Sequence, residues 1–138
     1  MQSLKVKEYM NSRPVTFNPN TSVAIALEKL LNSNQTGGPV VDENNRLIGF
    51  LSEQDMLHKL LKMSYHCEDT TLVSECMRTD VLSSTPDSSI VDLAETMTGE
   101  KPKVYPVVDN GFVVGVITRR DVLKAISEQI KVCFKQPV

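Results

Sequence analysis

The stretch GVITRRD, residues 115–121, runs an apolar strand straight into a hydroxyl, two arginines and an acid. Upstream, GFLSEQD at residues 49–55 has the same form: glycine, two apolar residues, Ser or Thr, two polar residues, Asp. Working outward from these two strings, the matches multiply. Val6, Glu8, Met10, Pro19, Ser22, Glu28, Pro39, Val40, Val41 and Asp42 meet identical residues 67 positions later, from Val73 to Asp109. The first copy has one extra residue in its turn, ENNR against NGF, after which the offset is 66: Gly49 matches Gly115, Asp55 matches Asp121 and Leu57 matches Leu123. Matches that keep their order across a single one-residue gap identify a tandem duplication.

Each copy predicts the same elements. Val23, Ala26, Leu27, Leu30 and Leu31 recur at helical spacing, as do Ile90, Leu93, Ala94 and Met97. Pro19 and Pro86 precede these runs, followed by hydroxyl residues able to cap a helix. Two short apolar runs follow, PVVD then RLIGFL, and YPVVD then FVVGVI. ENN and NG between them are turn chemistry, so each pair predicts a hairpin. A second helix carries Met56, Leu57, Leu60 and Leu61, or Val122, Leu123 and Ile126. A short extended piece, PVTF or VLSS, comes before the first helix, and LKVKEYM has its counterpart in TLVSECM. The fold class is α+β, with two tandem β-α-β-β-α units of roughly 55 residues, each too small to be secure alone. Repeat 1 takes residues 1–62, the polar stretch 63–71 reads as a linker, and repeat 2 with a C-terminal helix and tail takes 72–138.

Composition excludes several classes. Hydrophobic residues make up 41% and charged residues 23% of 138 residues, as in globular proteins. A net charge of −2 gives no footprint for nucleic acid. The apolar runs are far shorter than the ~20 residues of a membrane span, and Met1–Met10 does not read as a signal peptide. Cys67, Cys76 and Cys133, odd in number and scattered, suggest no disulfide framework, and a cytoplasmic setting is expected. Neither copy pairs a Ser or Cys nucleophile with a His base, and His58 and His66 are the two histidines, so no catalytic residue is expected. The row His66, Cys67, Glu68, Asp69 lacks the spacing of a zinc site, so no metal is expected either.

VKEYMNSRPVTFNPNTSV, GGPVVDENNRLIGFLSEQDML, VSECMRTDVLSSTPDSSI and YPVVDNGFVVGVITRRDVL resemble the two halves of a tandem pair of CBS (cystathionine β-synthase) domains, a Bateman module. The resemblance covers 6–61 and 73–127. It implies a pseudo-two-fold pair with clefts for adenosine-containing ligands such as AMP, ADP, ATP or S-adenosylmethionine, a flat disc-shaped homodimer, and regulation of an enzyme or transporter. With no stretch left for a catalytic domain, a separate regulatory subunit is expected, with the adenine nucleotide or nucleoside as regulatory ligand rather than cofactor. A structural or interaction module with degenerate clefts is the alternative.

Ser52-x-x-Asp55 and Thr118-x-x-Asp121 each read as a capping box. The same corner suits a ligand: a helix start attracts phosphate, Arg119 and Arg120 add forked donors, and a carboxylate can hold the ribose hydroxyls. The resemblance assigns Ser52 and Asp55 to one cleft, Thr118 and Asp121 to the other. It places adenine against Val15, Thr16 and Gly38 in the first copy and Leu82, Ser83 and Val104 in the second, although core packing explains Val15, Leu82 and Val104 equally well. Lys103 could reach a phosphate, although a lone lysine before a strand is usually just solvated. Glu53 and Gln54 stand where the second copy has Arg119 and Arg120, so the second cleft should prefer nucleotides, and the first a nucleoside or nothing.

Overall fold

The computed structural model describes residues 4–66 and 71–135. The first copy builds helix α1 (Val23–Ser33), strands β1 (Gly37–Val41) and β2 (Leu47–Ser52), and helix α2 (Glu53–His66). A four-residue helix, α3 (Val73–Cys76), opens the second copy, followed by α4 (Ile90–Met97), β3 (Val104–Asp109), β4 (Phe112–Thr118) and α5 (Arg119–Lys135). Val6–Glu8 forms a 3-10 turn matching α3. Helix α2 runs through His66, into the stretch read as a linker, and residues 67–70, with Cys67, Glu68 and Asp69 of the HCED row, lie outside the described residues.

The local chemistry acts as its residue types require. Ser22 Oγ caps α1 by accepting from the Ile25 N–H at 3.2 Å, and Ser89 Oγ caps α4 by accepting from Val91 and Asp92. Both hairpins are antiparallel, each with a bulge, between Val40 and Val41 and between Val107 and Val108. The second turns on Asn110 and Gly111, both at positive φ as a two-residue turn of this kind requires. The expected extended pieces reduce to single parallel bridges, Phe17 to Val40 and Ser84 to Val107.

The two cores do not follow the boundaries of the repeats. Leu4 and Val6, at the start of the first copy, pack with Ile90, Leu93, Tyr105, Val107, Ile117 and Val122 of the second. Val73, at the start of the second copy, packs with Val23, Leu30, Val40, Leu51 and Met56 of the first. Backbone bonds fasten the exchange: Ile90 N–H to Leu4 O and Val73 N–H to Thr21 O, each 2.9 Å. Leu31, Leu57, Leu61 and Leu123, apolar residues at helical spacing, are more than half exposed. A helix packed on one side covers only part of its apolar stripe. Among the described residues no helix is long and apolar enough to cross a membrane.

Candidate functional site

The GFLSEQD and GVITRRD corners are where strand, helix and the exchanged segment meet. Phe50 and Arg78 exchange both backbone hydrogen bonds at 2.9 Å, and Asn11 and Val116 do so at 2.8 and 3.0 Å. This close approach explains the glycines. A Cβ on Gly49 would lie 2.8 Å from the Arg78 carbonyl oxygen, and one on Gly115 2.7 Å from that of Asn11. Each repeat's glycine makes room for the other repeat's leading segment.

Past the glycine, both corners close as capping boxes. Asp55 N–H donates to Ser52 Oγ at 3.2 Å, and Asp55 Oδ2 accepts from the Ser52 N–H and hydroxyl at 3.2 and 2.7 Å. Asp121 N–H donates to Thr118 Oγ1 at 3.1 Å and Asp121 Oδ2 accepts from the Thr118 N–H at 2.9 Å. The first helical N–H is also engaged, Glu53 with Thr36 O and Arg119 with Lys103 O. Each carboxylate thus spends one oxygen on its helix and keeps the other for something else.

The other oxygens meet different surroundings. Asp55 Oδ1 accepts from Arg78 Nε at 3.1 Å. The sequence reading gave the first cleft no arginine; the structure supplies one from the other repeat. Asp121 borders a polar hollow with Glu8, Tyr9, Lys124 and Glu128, in which the Tyr9 hydroxyl donates to Glu128 Oε2 at 2.7 Å. That bond holds the Tyr9 hydroxyl above its ordinary pKa. Arg119 turns back, donating to Lys101 O at 3.2 Å, while Arg120 is exposed. The two arginines therefore do not form one fork.

The positions expected against adenine also differ between copies. Gly38 pairs with Leu51 as Tyr105 pairs with Ile117, whereas Val104 pairs with Thr118 as Gly37 pairs with Ser52. The counterpart of Gly38 is thus Tyr105, one place along from Val104. Val15 is 7% exposed against Gly38, but its counterpart Leu82 is 45% exposed. Ser83 is exposed, Thr16 and Val104 half-buried. The Val15 N–H donates to Gln35 Oε1 at 3.1 Å, and Lys29 Nζ donates to Thr16 O. Sequence reasoning missed Arg78, Gln35 and Lys29; a signal for Arg78 was present, since it follows Met77 where Asn11 follows Met10.

This architecture is that of a CBS pair, and the chain belongs to the CBS-domain family, whose model matches it twice, at residues 6–62 and 73–128. CBSX2 of Arabidopsis thaliana, solved in complex with AMP, is 32% identical with a TM-score of 0.77 over 92% of this chain and 98% of that one. The CBS domain pair of protein MJ0100, in complex with 5′-methylthioadenosine and S-adenosyl-L-methionine, is 25% identical with a TM-score of 0.78 over 93% and 99%. The uncharacterized protein MJ1225 of Methanocaldococcus jannaschii is 31% identical over 121 residues, 88% of this chain and 42% of that protein. The chain spans less than half the length of such curated relatives, and 15% of an A-adding tRNA nucleotidyltransferase from Aquifex aeolicus.

Proposed function

We propose that this chain is a regulatory module that binds an adenosine-containing small molecule (AMP, ADP, ATP or S-adenosylmethionine), chiefly in the second cleft, and passes its occupancy to a separate partner protein. The observation that carries the reading is the Thr118–Asp121 corner. Its acid gives one oxygen to the helix cap and leaves Oδ1 without a hydrogen bond among the described residues. In this reading that oxygen takes the ribose hydroxyls, and Arg120 and Lys103, both exposed, meet phosphate. The likeness to AMP-bound CBSX2 over nearly the whole of both chains supports it. No catalytic role is assigned to any residue.

Calorimetric titration with AMP and adenosine tests the reading, with wild type beside Asp121→Asn. A charged hydrogen bond contributes ~1.5 to 3 kcal/mol, so the variant should bind roughly ten- to a hundredfold more weakly. The helix cap alone would cost only a few tenths to ~1 kcal/mol of stability and leave affinity untouched. Heat-silent titrations with AMP, ADP, ATP, adenosine and S-adenosylmethionine, matched by an unmoved melting point, would favour an interaction module instead.

A further inference from the structure

The last turns of helix α5 stand clear of the core. Among the described residues, the second core takes no apolar side chain from α5 beyond Ile126. Every residue from Ile130 to Phe134 is exposed, with Phe134 at 84%. Leu123, Ile130 and Phe134 are 7 and then 4 residues apart, a spacing that sets them on one face of the helix. A single exposed apolar side chain is ordinary, but a stripe of them along one helix marks an interface.

The first copy has a hollow suited to that stripe. Leu27 and Leu31 of α1, with Glu53, Gln54, Leu57 and Leu60 of α2, line a depression of about 390 Å³. Its lining is apolar apart from Glu53 and Gln54, both exposed. The second copy is the internal control. There Leu27 becomes Ala94, Leu31 becomes Thr98, and Glu53 and Gln54 become Arg119 and Arg120. The apolar lining shrinks and the acid gives way to two bases.

Charge then decides which of the two places the end of α5 can meet. Helix α5 carries five bases and two acids, a net +3, whereas α2 carries two of each and is neutral. Packing α5 on a second α5 would set +3 against +3, and like charges across an interface exclude that pairing. Packing α5 on α2 avoids the repulsion. It also gives Lys131, exposed and one turn before Phe134, a partner in Glu53.

We propose that the end of α5 docks in the α1–α2 hollow of a second copy of this chain, with the two helices antiparallel. Phe134 fills the hollow, Lys131 meets Glu53, and Ile130 and Leu123 lie along the stripe of Leu57 and Leu61. Two-fold symmetry makes the contact twice, repeat 2 on repeat 1 each time. This goes beyond the ligand reading and does not depend on it.

The test is the dimer dissociation constant from sedimentation equilibrium, with circular dichroism as a check that each exposed-site variant stays folded. Phe134→Ser should weaken the dimer about a hundredfold or more, since two buried phenyl groups are lost. Glu53→Lys and Lys131→Glu should each weaken it about tenfold, because both symmetric contacts turn repulsive. Combining the two reversals should restore most of the loss. Cross-linking gives the orientation separately. A chain with all three cysteines changed to serine and Gln54→Cys is mixed with one that keeps Cys133 alone. A short bismaleimide should join the two kinds of chain and neither kind to itself. A monomeric wild type, a Phe134→Ser dimer as tight as wild type, a double reversal no better than the single ones, or links from Cys133 to Cys133 would each overturn the docking.

Discussion

Tyr105 is the largest fully buried side chain, and its hydroxyl has no hydrogen-bond partner among the described residues. Burial pushes the phenol above its ordinary 10.0, against the opposing charge of Arg119. A buried polar group without a partner costs about 1 to 3 kcal/mol, so Tyr105→Phe should leave stability at pH 7 unchanged or raised in urea unfolding. A loss of ~1 kcal/mol or more would mean that the hydroxyl is bonded. The pH dependence carries a sign as well. A folded pKa raised above the unfolded one contributes stability below the unfolded value and loses it as pH rises through the folded one. Wild type should therefore lose stability above about pH 10 more steeply than Tyr105→Phe. At this scale the sequence was legible where contacts are local. The hydroxyl and acid of each corner are three residues apart and bond as a capping box, as the spacing requires. Arg78, Gln35 and Lys29 reach partners 23, 20 and 13 residues away, and no local pattern announces such contacts.

Among elements, the helices and hairpins stand where periodicity and turn chemistry put them, because each is set by short-range steric and hydrogen-bonding preferences. Ser22 and Ser89 are the clearest cases, and each should carry about 1 kcal/mol as a cap. Ser22→Ala and Ser89→Ala should each lower the unfolding free energy by about that amount, with the two adding in the double variant because the caps serve separate helices. A double variant no less stable than wild type would show that the caps add nothing beyond water. What periodicity could not show is how much of a helix face is covered. Met56 and Val122 are buried, whereas the adjacent Leu57 and Leu123 are 60% and 58% exposed. Exposed apolar faces of this kind mark interfaces. We propose that a two-fold homodimer, as the family resemblance implies, covers them. Light scattering on a sizing column should then give a dimer for wild type and a monomer for Leu57→Lys with Leu123→Lys. A monomeric wild type at micromolar concentration would remove the dimer.

Across the whole molecule, the duplication is legible in the sequence, but the exchange of its leading segments is not, since identical residues align whichever core they enter. The exchange makes each half depend on the other. Val6 is fully buried, and with Leu4 it closes a core otherwise built from residues 90–125. Val73, also fully buried, closes the core of the first copy. Removing a buried valine or leucine side chain costs roughly 1 to 5 kcal/mol, against a total stability of about 5 to 15 kcal/mol for a domain. A fragment of residues 71–138 would lose both Leu4 and Val6, along with the backbone bonds from Val6 to Ser88 and from Ile90 to Leu4. It should be unfolded by circular dichroism at 25 °C, although it contains all of repeat 2. A fragment of residues 12–78 should fare better. It keeps Val73 with its own core and lacks only the leading segment that belongs to the other half. Were the cores to follow the repeats instead, 71–138 would fold and 12–78 would gain nothing from carrying Val73. Comparing 12–78 with 12–70 isolates the effect, because the two differ only in the segment that crosses over. Cooperative unfolding of 12–78 beside a disordered 12–70 is the expected result, and equal stability of the two would refute the exchange.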